Sequence, residues 1–135
     1  IYEGSFSNEN ISSIEFPLSL TTIGESAFSG CPNLKRLELP FSLTKIENYA
    51  FSGCSDLKSV VFSKGVENIG VSLFSNCISL TTVILNEGIT EISYSMFMEC
   101  LNLTTIKLPS TVTLIGASAF ASCSYLPLRM CISQL

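Results

Sequence analysis

The chain has 135 residues, enough for one domain with a buried core, and its 47% apolar content argues against disorder. Charged residues make up only 13%, against roughly a quarter in typical domains, and the net charge is -4 with no basic run. This argues against nucleic acid as a partner, which needs a clustered Lys/Arg footprint to displace phosphate counterions, and disfavours anionic membrane surfaces for the same reason. No apolar run approaches the ~20 residues that cross a bilayer, so no membrane insertion by this segment is expected. Ile1 opens mid-pattern without an initiator Met, as expected of a processed or excised piece of a longer protein.

Residues 1–22 read as a degenerate first coil. Phe6, Ile11, Ile14 and Phe16 appear in the order that later segments repeat, but one residue is missing between Phe6 and Ile11. From Ile23 the period is strict: Ile23, Ile46, Ile69, Ile92 and Ile115 are 23 apart, as are Phe28, Phe51, Phe74, Phe97 and Phe120. Cys31, Cys54, Cys77, Cys100 and Cys123 keep the same interval, and so do Leu34, Leu57, Leu80, Leu103 and Leu126. Four ladders in one register define full repeats at 23–45, 46–68, 69–91 and 92–114, with a terminal one at 115–135.

Within a unit, Leu34, Leu37 and Leu39 end in an apolar/polar alternation that predicts a strand with one buried face. Its equivalents are Leu57, Val60 and Phe62; Leu80, Val83 and Leu85; Leu103, Ile106 and Leu108. Pro40 and Pro109 end the strand, because proline has no amide for the next ladder bond. A second extended piece follows, with Leu43 and Ile46, then Val66 and Ile69, pointing inward. The Ser26-Ala27-Phe28 stretch has room for one helical turn, and Gly30, Gly53 and Asn76 stand where a left-handed helix exit is wanted. A short helical turn is expected there, on the outer side. At the far end strict register would bury Arg129, whereas a shift of one places Leu126, Leu128 and Met130 inward, with Pro127 on an edge strand.

One such coil cannot stand alone. Fixing its backbone costs about 1–2 kcal/mol per residue, while half a dozen large apolar groups return only about 1.5–3 kcal/mol each. Stacking supplies the missing burial. The expected fold is an α/β solenoid, a right-handed superhelix forming one domain over 1–135, with a parallel β-sheet lining the concave side.

The pattern I-x-x-x-A-F-x-x-C-x-x-L-x-x-L-x-L-P, seen as Ala27-Phe28, Cys31 and Leu34-Leu37-Leu39 and again from Ala50 to Phe62, resembles the BspA-like leucine-rich repeats. These are also called the Treponema type and occur in bacterial surface proteins and in parasitic protists such as Trichomonas and Entamoeba. Later copies depart from the pattern: Leu73 and Met96 replace Ala, and Ser63 and Asn86 replace Pro. The resemblance implies a secreted or surface-displayed solenoid acting in adhesion to host cells, matrix proteins or other microbes, with no catalytic residues.

The residues themselves offer little chemistry. Five of the six cysteines recur at one repeat position, which marks them as small core hydrophobes, and zinc sites want converging C-x₂-C pairs instead of a straight ladder. An odd number of rungs cannot all pair, so the five ladder thiols are expected to be reduced. There is no histidine, which removes serine-histidine and cysteine-histidine catalysis. Glu15, Glu38, Glu47, Glu67, Glu91 and Glu99 form no paired motif. No enzyme, metal or cofactor is expected. The sequons Asn10-Ile11-Ser12 and Asn102-Leu103-Thr104 read as chance in a chain rich in Asn, Ser and Thr.

Binding is expected on the concave face. Arg36 and Glu38 map onto Ser59 and Val61, Thr82 and Ile84, and Thr105 and Lys107, and one row runs Glu15, Glu38, Val61, Ile84, Lys107. Its apolar centre is bordered by acid and base, the make-up of a contact patch, although strand propensity alone accounts for Val61 and Ile84 equally well. Two functions fit: an extracellular adhesin-like module that grips a protein or glycan, or an intracellular scaffold that docks partner proteins in a reducing, cytoplasmic compartment. The hydroxyl-rich surface favours the first and the free thiols the second.

Overall fold

The computed structural model describes residues 1–127, and its regular elements are all short strands. Three-residue strands β2 (Arg36–Glu38), β4 (Ser59–Val61), β6 (Thr82–Ile84) and β8 (Thr105–Lys107) follow the alternating segments of the sequence. They pair in parallel in that order, with Leu37, Val60, Val83 and Ile106 in register and buried. Two-residue strands β1 (Thr22–Ile23), β3 (Lys45–Ile46), β5 (Asn68–Ile69), β7 (Glu91–Ile92) and β9 (Leu114–Ile115) make a second ladder on another wall.

The expected helical turn is not there. Where Ser26-Ala27-Phe28 was to wind as a helix, the described residues hold consecutive tight turns, and the reason lies in the backbone. Ser26 has φ 53° and Gly30 φ 69°, and the same left-handed pair recurs at Tyr49 and Gly53, Ser72 and Asn76, Ser95 and Glu99, and Ser118 and Ser122. A right-handed helix cannot absorb left-handed residues at this spacing. The amides alternate instead. Ala27, Ser29 and Cys31 donate within the unit to Gly24, Ser26 and Phe28, while Ser26, Phe28 and Gly30 donate to the Asn48, Ala50 and Ser52 carbonyls of the next coil, at 2.7–2.9 Å. This wall is therefore bonded coil to coil, as a sheet is.

Behind it lies the core. The rings of Phe6, Phe28, Phe51, Phe74, Phe97 and Phe120 stack with centroids 5.1–5.8 Å apart and planes within 11° of parallel. Offset stacking of this kind adds about 0.5–1.5 kcal/mol per pair beyond burial. Each ladder thiol donates to the carbonyl of the phenylalanine one coil back: Cys54 to Phe28, Cys77 to Phe51, Cys100 to Phe74 and Cys123 to Phe97, at 3.1–3.3 Å. Cysteine therefore fills the position as a small hydrophobe that also satisfies a buried carbonyl. Cys31, Cys54, Cys77 and Cys100 are free thiols.

The second ladder is interrupted. β1, β3 and β5 are joined, and so are β7 and β9, but β5 and β7 are not. One row of residues accompanies the break: Gly24, Glu47, Gly70, Ser93 and Gly116. A Cβ on Gly24, Gly70 or Gly116 would come within 2.4–2.7 Å of preceding backbone, so glycine lets those coils close up. Ser93 carries a hydroxyl that donates to the Gly70 carbonyl at 2.7 Å. Glu47 also has a Cβ and its amide still reaches Ile23 at 3.0 Å, so the hydroxyl and not the bulk distinguishes the open junction.

Leu126 is buried, a position that the strict and the shifted readings of the last coil share. The other positions of that reading, Leu128, Arg129 and Met130, and also Cys131, lie outside the described residues.

Candidate binding face

The four-stranded sheet presents two rows of outward side chains. Its register places Arg36, Ser59, Thr82 and Thr105 in one and Glu38, Val61, Ile84 and Lys107 in the other. Parallel pairing at about 4.8 Å per strand spreads each row over about 14 Å. Glu38 and Lys107 are exposed at opposite ends, Val61 is 45% exposed and Ile84 half-buried between them. Among the described residues the one ion pair joins Lys45 and Glu47 at 2.6 Å, so Arg36, Glu38 and Lys107 have no ion-pair partner among the described residues.

The flank of the face is held down. Thr81 Oγ1 donates to the Lys58 carbonyl at 3.1 Å and Thr104 Oγ1 to the Thr81 carbonyl at 3.2 Å, which ties each hydroxyl to the coil before it. A rigid platform costs a ligand little ordering entropy. Glu15 is exposed but stands outside the hydrogen-bonded sheet, which begins at Arg36. The residue missing upstream accompanies this: Phe6 stacks on Phe28, yet no strand forms around Glu15.

The open junction of the second ladder widens into a groove of about 590 Å³ that sequence reasoning did not anticipate. Glu25, Glu47, Glu67, Glu91, Lys45 and Tyr94 are among the residues that line it. The only signal in the sequence was the lone serine of the glycine-rich row. The Lys45 ammonium donates to Glu47 and holds that carboxyl below its usual range.

No cysteine lines the groove or stands in the two outward rows. Burial pushes the thiol of Cys54 up to about 12 and that of Cys77 well above its ordinary value, with neighbouring ladder thiols adding to both shifts, so neither supplies a thiolate nucleophile. Among the described residues no three His, Cys, Asp or Glu converge as metal ligands. No helix of the described residues is long and apolar enough to cross a membrane. Of the sequons, Asn10 and Asn102 are both exposed, and Asn102 donates to the Ile78 carbonyl at 2.8 Å.

Comparison with known proteins agrees with this architecture. The leucine-rich repeat protein of T. pallidum superposes with a TM-score of 0.77 and 28% identity, covering 99% of this chain and 75% of that one. A leucine-rich repeat protein from Eubacterium ventriosum gives 0.76 at 26% identity, over 89% of this chain and 39% of its own. The pneumococcal vaccine antigen PcpA gives 0.68 at 27% identity, over 90% of this chain and 39% of its own. The chain thus spans well under half of the last two. No curated protein matches it. The model of the BspA-type leucine-rich repeat region matches residues 1–127 in six copies. With its ladders of Ile, Phe, Cys and Leu stacked coil on coil, the chain belongs to the BspA-type leucine-rich repeat family and has the leucine-rich repeat fold.

Proposed function

We propose that this module acts by binding and not by catalysis, as a surface-displayed, adhesin-like domain that takes a host or matrix protein or glycan on its concave face, the sheet of β2, β4, β6 and β8. The observation that carries the reading is the row Glu38, Val61, Ile84, Lys107, where an exposed Val61 and a half-buried Ile84 stand between charges that have no ion-pair partner among the described residues. Interfaces are built this way, with an apolar centre and a polar rim. The family is one of repeat scaffolds for protein interaction.

Surface location is favoured by the pneumococcal vaccine antigen among the structural relatives. The free thiols would favour the intracellular scaffold, but they sit buried with raised pKa, and the thiolate is the form that oxidises. They are therefore compatible with an oxidising exterior. Antibody labelling of intact cells tests the location: labelling supports display, and signal only after permeabilisation contradicts it. For the face, the chain is immobilised and screened against matrix proteins and glycans alongside a Val61→Asp, Ile84→Asp variant. Capture by the parent and loss in the variant, at unchanged thermal unfolding, is expected. Equal capture by both would remove the face from the reading.

A further inference from the structure

The charged row has a symmetry that its composition alone does not reveal. Read from β2 to β8 it is acid, apolar, apolar, base; read from β8 to β2 it is base, apolar, apolar, acid. Each reading is the electrostatic complement of the other. Glu38 and Lys107 are three strands apart, about 14 Å, too far to pair within one chain, and neither has another ion-pair partner among the described residues.

We propose that this face pairs two copies of the chain, related by a two-fold axis that lies along the strands between β4 and β6. Rotation about that axis reverses the row. Glu38 of each copy then meets Lys107 of the other, and Val61 meets Ile84, so both ends and both central positions are matched at once. The second row follows without conflict: Arg36 meets Thr105 and Ser59 meets Thr82. Stacking the rows in the same order would instead set Glu38 on Glu38 and Lys107 on Lys107. The isologous arrangement is the self-complementary one, as closed dimers require.

Four strands of three residues bury far less than the ~800 Å² per partner of a standard stable complex. The pairing is accordingly weak and concentration-dependent, and it acts where many copies are crowded, since multivalent display turns weak contacts into avidity. It uses the face assigned above but not the ligand assigned to it, and the test needs only the chain itself, so each reading can fail without the other.

Sedimentation equilibrium over a concentration series at low and high salt is measured for the parent chain, for Glu38→Lys, for Lys107→Glu and for an equimolar mixture of the two variants. Circular dichroism confirms that each variant is folded. Parent association is expected to weaken with salt, and each variant alone is expected to lose about tenfold or more, because like charges then face each other. In the mixture every introduced charge meets an opposite one, so association returns to within roughly twofold of the parent. A parent that stays monomeric up to millimolar concentration overturns the proposal. So does a mixture no better than its components, or single variants that associate like the parent.

Discussion

Two walls of the same coils behave in opposite ways. On the turn wall, position after position repeats: phenylalanine on phenylalanine, cysteine on cysteine, buried from Phe28 to Cys100 and bonded between coils. On the sheet face the residues change at every step, from Glu38 to Val61 to Ile84 to Lys107. The difference follows from what each wall touches. A stacked ring has its own image as neighbour, so any departure breaks two contacts at once. An outward side chain on the sheet touches solvent and is free to vary. Stability is stored in the repeating wall, and the proposed recognition falls on the variable one.

The sharpest way to break that contrast is Phe74→Ala, which removes a fully buried ring stacked on Phe51 and Phe97. It should cost about 3–5 kcal/mol, read as a lowered urea midpoint. Cys77→Ala removes a buried thiol and its bond to the Phe51 carbonyl, and should cost about 1–3 kcal/mol. The same thiols set a pH limit. Folded Cys54 keeps its proton to about 12 against an ordinary 9.0, so the unfolded chain ionises first. The stabilisation is complete below pH 9 and declines as pH rises toward 12, which urea titrations at pH 8 and pH 10.5 will show as a falling midpoint. Glu99→Gly should raise stability by about 0.5–1 kcal/mol, because Glu99 holds φ 60° where Gly30 and Gly53 stand in earlier coils. The smallest effect belongs to the other wall: Val61→Asp with Ile84→Asp should shift unfolding by no more than about 0.5 kcal/mol while abolishing ligand capture.

Much of this was legible in the residues. The 23-residue interval and the alternation at Leu37, Val60, Val83 and Ile106 suffice to place a parallel sheet, because burial on one face leaves only one register open. The turn wall was misread as helical for a definite reason. Ser26, Tyr49, Ser72, Ser95 and Ser118 adopt left-handed φ without being glycine, and nothing in a serine or tyrosine announces that. Tertiary stacking imposes the conformation, since it aims the alternate amides at the next coil. The site rows were readable from Arg36 onward because register is inherited along the sheet. Glu15 was not, because one missing residue leaves no strand to carry it. The groove that Ser93 helps to line accompanies a break between β5 and β7, which a repeat pattern does not signal.

The central claim is that the turn wall is bonded between coils and not along itself. Scalar coupling across hydrogen bonds, measured by nuclear magnetic resonance on isotopically labelled chain, tests it directly at Phe74. The structure predicts coupling from the Phe74 amide to the Met96 carbonyl, 2.9 Å away in the next coil. Coupling to the Gly70 carbonyl, the partner an α-helix would supply, would contradict it.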